Sequence, residues 1–136
     1  MSDKLSIDKL VKRFFTVYSN KNNQKPDWDL LNKICIPETI IIKMIGVTED
    51  IYSLQSFIET RKEILSNGTL TEFVESETEE ETNIVGNIAQ RFSKYQKSGY
   101  LNRNYFQQYG NIFFQFIKTK NEWKICAVIW EDDEPG

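Results

Sequence analysis

Residues 109–132 read YGNIFFQFIKTKNEWKICAVIWED, and the fold turns on them. NIFFQFIKT and WKICAVIW are apolar at nearly every position, so neither shows the alternation of a strand with one wet face. Both are expected to be central strands covered on two sides. The polar step Thr-Lys-Asn-Glu between them, with Asn121, supplies a hairpin turn. Strict alternation sends Phe113, Ile117, Cys126, Val128 and Trp130 to one face. It sends Ile112, Phe114, Phe116, Trp123, Ile125, Ala127 and Ile129 to the other, so the second face needs a cover of its own.

Upstream, GNIAQRFSKYQ at 86–96 is a further strand, with Ala89, Arg91, Ser93 and Tyr95 on one side and Ile88, Gln90, Phe92 and Lys94 on the other. LTEFVESET alternates more weakly. Breaks are expected at Gly68, at Asn83 or Gly86, and at Ser98-Gly99, and Gly110 after Tyr109 reads as a bend or bulge at a strand start. These segments make four antiparallel strands.

The first half has a different period. Ile7, Leu10, Val11, Phe14, Phe15 and Tyr18 recur at helical spacing, with Ser6 as the expected cap. PDWDLLNKI reads as a short helix opened by Pro26 and stopped by Pro37, and TIIIKMIG as a β-branched strand. From near Ser53 a third helix carries Leu54, Phe57, Ile58, Arg61, Ile64 and Leu65 along one stripe and ends at Asn67-Gly68. Helices followed by strands predict an α+β fold, N-terminal helices packed on a curved, mostly antiparallel sheet. With no repeat and no linker, residues 1–136 are expected to form one domain.

Composition limits the chemistry. The chain of 136 residues is 40% hydrophobic and 27% charged, with a net charge of -3 and no histidine. A histidine-based triad and imidazole metal ligation are therefore excluded, and an acid or base would have to be a retuned carboxyl, tyrosine, lysine or cysteine. Cys35 and Cys126 have no metal or redox spacing and sit in apolar company, so both read as core thiols. No cofactor or metal motif is present. The start has no signal-like apolar segment and no run suits a membrane span, so a cytoplasmic location without membrane association is the expectation. Nucleic acid is disfavoured as a partner by the acidic balance and the scattered bases. Residues 72–81 hold six glutamates, whereas 82–130 hold seven Lys or Arg and one acid, Glu122. That segregation fits either cross-strand ion pairs or a solvated face with a charged turn.

GNIAQRFSKYQ and YGNIFFQFIKTKNEWKICAVIWED, with FFTVYSN, DWDLLNK and SLQSFIETRKEIL upstream, resemble the NTF2-like superfamily, which includes SnoaL-like and ketosteroid isomerase-like domains. The resemblance spans nearly the whole chain. It implies a cone of bent sheet and helices with a pocket at its wide end, and a homodimer through the sheet face. In the isomerase branch a tyrosine of the first helix polarises the substrate oxygen, and Tyr18 is its counterpart. The first-strand acid of that branch falls in TIIIKMIG, where Lys43 is the polar residue, and the late-strand acid falls at 112–114, where there is none.

Seven residues are candidate pocket liners: Tyr18, Trp28, Glu75, Glu77, Arg91, Tyr95 and Trp130. Glu75 and Glu77 share a face with Phe73. Arg91 and Tyr95 suit a carboxylate or carbonyl ligand but equally a sheet or dimer surface. The expected function is a small-molecule binding domain for a mostly apolar ligand with one polar end. The alternatives are a non-catalytic dimeric interaction module and an isomerase, dehydratase or hydrolase using a Glu/Tyr or Glu/Arg pair.

Overall fold

Six strands form a single sheet in the order β2-β1-β6-β5-β4-β3. A computed structural model describes residues 2–134. Its elements are α1 (Asp3–Thr16), α2 (Trp28–Ile34), β1 (Cys35–Ile45), β2 (Thr48–Ser53), α3 (Leu54–Ser66), β3 (Leu70–Val85), β4 (Ile88–Leu101), β5 (Asn104–Thr119) and β6 (Glu122–Asp132). All pairings are antiparallel except β1 with β6, which is parallel, the chain passing through β2, α3 and the β3–β4–β5 meander before it returns. The fold is the α+β cone: helices lie against the concave face of a curved, mostly antiparallel sheet. Among the described residues no helix is long and apolar enough to cross a membrane.

Helix α1 begins one turn before the expected cap, because the Ser2 hydroxyl accepts the Leu5 N–H at 3.1 Å and Ser6 then falls inside the helix. Its buried stripe is Ile7, Leu10, Val11, Phe14 and Phe15. Phe14 and Phe15 both meet the Phe114 ring edge-on, with centroids 5.1 and 5.9 Å apart. Each such ring contributes roughly 1.5–3 kcal/mol by leaving water. In α2 the cap is Asp27, which accepts from Leu30 N–H, and Pro26 precedes it. Pro37 does not end that helix; it lies within β1, at a register shift between Cys35 and Ile40. Strand β2 had no sequence signal, since TEDIYS is short and mostly polar.

The acidic run is strand rather than turn. β3 extends to Val85 with a bulge between Glu77 and Glu79, and it places Glu79 opposite Lys94 and Glu80 opposite Ser93 on β4. Nor does the chain break at Ser98-Gly99. β4 runs through to a two-residue turn, Asn102-Arg103, at φ 49° and 70°, and the β5–β6 turn, Lys120-Asn121, is similar at 52° and 65°.

A bulge in β6 overturns the expected faces of the last strand. Gln115 pairs with Ala127 and Phe116 with Ile125, so Cys126 is skipped and the alternation changes sense there. Val128 and Trp130 turn to the interior with Ile112, Phe114 and Phe116, while Ala127 and Ile129 move outward. Both cysteines are free, Cys35 buried and Cys126 partly exposed at the bulge.

Gly110 makes room for a ring rather than starting a bend. It lies inside β5 opposite Tyr95, and a Cβ built there would stand 2.1 Å from the Tyr95 hydroxyl and 2.7 Å from the Glu131 carbonyl oxygen. Gly110→Ala is therefore expected to displace the Tyr95 ring and cost about 2 kcal/mol or more in urea denaturation. Unchanged stability would mean that the ring moves aside freely.

Candidate functional site

The concave face of the sheet begins as an ion-pair layer and ends as a cavity. Where α1 crosses β3 and β4, Arg91, only 3% exposed, donates from Nε and Nη2 to the two Glu77 oxygens at 3.0 and 2.6 Å. Its Nη1 donates to Asp8 of α1 at 2.6 Å, and Ser93 donates a further hydrogen bond to Glu77. Lys4 of α1 reaches Asp8 at 2.8 Å and Glu80 at 2.9 Å. Each of these side chains is engaged within the fold, and neither Glu77 nor Arg91 lines the cavity. The Glu/Arg pair anticipated as chemistry holds a helix to a sheet.

Two residues along β3 from Glu77, the same face opens into a cavity of about 500 Å³ between α1, α3 and the sheet. Its apolar wall includes Phe14, Tyr52, Phe57, Phe73, Phe106 and Trp130. A polar band crosses it: Lys43 from β1, Glu75 from β3, Tyr95 and Lys97 from β4, and Asp132 from β6. Asp132 is the hub of that band. It accepts the Tyr95 hydroxyl at 2.5 Å and the Lys97 ammonium at 2.9 Å, with Lys43 at 3.8 Å. Burial alone would raise its pKa, but Lys97, Tyr95 and Lys43 together hold it below the usual carboxylate range. Burial and the bond to Asp132 push the Tyr95 phenol upward, so it stays a donor. Burial also lowers Lys43, against the attraction of Asp132.

Of the expected liners, Tyr18, Glu75, Tyr95 and Trp130 come together around this space. Trp28 stands behind Tyr18, its ring 5.9 Å away, and packs on the core instead. Lys43, Asp50, Arg61, Lys97, Gln108 and Asp132 add to the polar lining and were not among the expected set. Arg61 carried a signal, as the one cation in the apolar stripe of α3. Asp132 carried one only if Trp130 was known to point inward, which the bulge at Cys126 concealed. Among the described residues no cluster of His, Cys, Asp and Glu has the makings of a metal site.

A bent sheet closed by helices around an internal cavity defines a class of small α+β cone. Its relatives among solved structures fall in that class. One is the protein Kfla4162 from Kribbella flavida, at 14% identity and TM-score 0.78, covering 97% of this chain and 91% of that one. Another is an NTF2-like protein of unknown function from Prochlorococcus marinus, at 13% identity and TM-score 0.77, covering 100% and 97%. A third, from Nostoc punctiforme, is of unknown function with a cystatin-like fold, at 14% identity and TM-score 0.74, covering 96% and 91%. No family model matches the sequence, and no curated protein matches it. The likeness is one of fold, an NTF2-like, cystatin-like cone.

Among the described carboxyl groups that the fold perturbs, Glu75 is the one whose pKa is raised. Its carboxyl has no hydrogen bond or ion pair among the described residues, although Lys97 is its partner across the β3–β4 ladder. Desolvation in the cavity pushes its pKa from 4.5 up to about 7, opposed by Lys97 and assisted by Asp132. A carboxyl whose folded pKa exceeds its unfolded value binds its proton more tightly when folded. Its cost is absent below the unfolded pKa, grows as pH rises through the interval, and is complete above the folded pKa. Glu75→Gln is accordingly expected to stabilise the protein by about 1–3 kcal/mol at pH 8.5 and by little at pH 4.5. Denaturant titrations at the two pH values check this, and an equal effect at both would show that Glu75 is ordinarily solvated.

Proposed function

We propose that this protein is a small-molecule binding domain whose cavity takes a mostly apolar ligand with one polar group. The observation that carries this reading is the cavity itself: about 500 Å³, walled by aromatic side chains, with one polar band to orient a bound molecule. Tyr18 adds support. Its hydroxyl is buried and has no hydrogen-bond partner among the described residues, an arrangement that costs stability unless something else supplies an acceptor. An apolar dye, 1-aminoanthracene, is expected to bind the wild-type protein at one site per chain and to lose that binding in Ile64→Trp, which fills the cavity from α3. Absence of saturable binding to the wild type, or equal binding to the filled variant, overturns the reading.

Glu75 gives the enzyme alternative its motive, because a carboxyl titrating near neutrality suits general acid–base work. The binding reading takes precedence because it requires only the space and the polar band.

We also infer that the protein pairs with a second copy of itself through the outer face of the sheet. Phe92, Phe113, Ile129, Ile42 and Ile51 lie side by side across five strands of that face. Phe113 is 54% exposed there. Lys94 and Glu131 lie one position further along in the same register, so a two-fold partner offers each a charge of opposite sign. Light scattering is expected to give twice the chain mass for the wild type and the chain mass for Phe113→Glu. A wild-type monomer at high protein concentration refutes the pairing.

A further inference from the structure

Building on the reading of the cavity as a small-molecule site, we propose that the polar group it receives is a carboxylate, held by Arg61 with the Tyr18 hydroxyl as a second donor.

The three cations that line the cavity are not equivalent. Lys43 and Lys97 both serve Asp132, at 3.8 and 2.9 Å. Arg61 makes no ion pair among the described residues, although its charge reaches Glu75 and favours that carboxyl's ionised form. Its recorded hydrogen bond is from Nη1 to the hydroxyl of its own neighbour, Thr60, at 3.1 Å. A guanidinium carries five N–H donors, so most of this one's capacity is unused.

Position is nevertheless fixed. The guanidinium carbon lies 4.6 Å from the Phe57 ring centroid, 5.2 Å from that of Tyr52 and 5.8 Å from that of Trp130. Contact with ring faces engages the flat of the guanidinium and leaves its edge, where the N–H groups point, for a planar partner. A carboxylate matches that edge with two parallel hydrogen bonds, which an amide or alcohol cannot do.

Tyr18 meets the same Phe57 ring, with centroids 6.0 Å apart and planes nearly perpendicular. Arg61 and the Tyr18 ring therefore both pack on Phe57, at one aromatic corner of the cavity, and the Tyr18 hydroxyl has no partner among the described residues. The charge balance agrees. Lys43, Arg61 and Lys97 outnumber the carboxylates of Asp50 and Asp132, and burial shifts Glu75 toward its neutral form, most fully below pH 7. An anion relieves that imbalance and a cation worsens it. The surrounding rings suit an aryl or alkyl body, so the ligand class is a hydrophobic carboxylic acid.

The test compares 3-phenylpropanoate and its longer homologues through 8-phenyloctanoate with the matching primary amides, by calorimetry at pH 6. Wild-type protein is expected to bind the best acid about tenfold or more tightly than its amide. Arg61→Gln should bring the acid to the amide's level while leaving the amide within about twofold. Arg61→Lys, which keeps the charge and loses the planar fork, should retain part of the preference, and circular dichroism checks that both variants fold. Equal binding of acid and amide by the wild type, which needs no variant to interpret, overturns the role of Arg61 and leaves the cavity as a binding site. So does a preference that survives in folded Arg61→Gln. Failure of every acid and every amide to bind overturns the cavity reading itself, and this proposal with it.

Discussion

A guanidinium removed from water is the constraint on which the rest of the structure depends. Burying a cation is costly unless it is met by opposite charge in good geometry, and Arg91 is met by both oxygens of Glu77 and by Asp8. Glu77 comes from the neighbouring strand and Asp8 from the helix above, so satisfying Arg91 fixes where α1 crosses the sheet. Once that crossing is set, Phe14 near the end of the helix and Tyr18 just past it stand at the edge of the covered region. They become the wall of the cavity, and the cavity begins where the helix stops shielding the sheet.

The contrast between Glu75 and Glu77 follows from that boundary. Both belong to β3 and both point to its concave side, yet they live in different media. Glu77 lies under α1, where Arg91 and Ser93 supply donors, and its charge is integral to the packing. Glu75 lies beyond the helix, with no donor in reach, and burial favours its neutral form. The environment, more than the residue type, divides a structural carboxylate from a responsive one. The polar band shows the same rule, where Lys97, Tyr95 and Lys43 keep Asp132 charged against burial, and burial eases Lys43 toward neutrality against the pull of Asp132.

Much of this was legible in the sequence because it depends on periodicity. The helical spacing of Ile7 to Phe15, the stripe of α3 and the doubly apolar character of β5 and β6 lead directly to helices on a curved sheet. Tyr18, Glu75, Tyr95 and Trp130 were likewise found by asking which polar or aromatic groups shared a face with apolar ones. What escaped depends on single residues that interrupt the period, or on elements too short to have one. β2 has no pattern of its own and is held by pairing with β1. Whether Arg91 faces the ligand or a helix depends on where that helix crosses, a tertiary fact that alternation along β4 does not contain. The run Glu79 to Glu81 looked like a turn because so many like charges repel, but bases on the adjoining strand and solvent at the edge accommodate them in extended backbone.

The bulge at Cys126 makes the interior of this protein a question of parity. Before it, odd-numbered residues of β6 point inward; after it, even-numbered ones do, and Trp130 and Asp132 enter the cavity while Ile129 and Glu131 leave it. A single residue inserted or lost directly after the bulge exchanges those two sets, at the cost of a one-residue slip or a second bulge in the pairing with β5. Chains that share this architecture but little sequence are therefore free to swap an acidic, aromatic lining for a different one by a change of length alone. Any alignment of such chains has to place the bulge before it assigns an acid to the cavity.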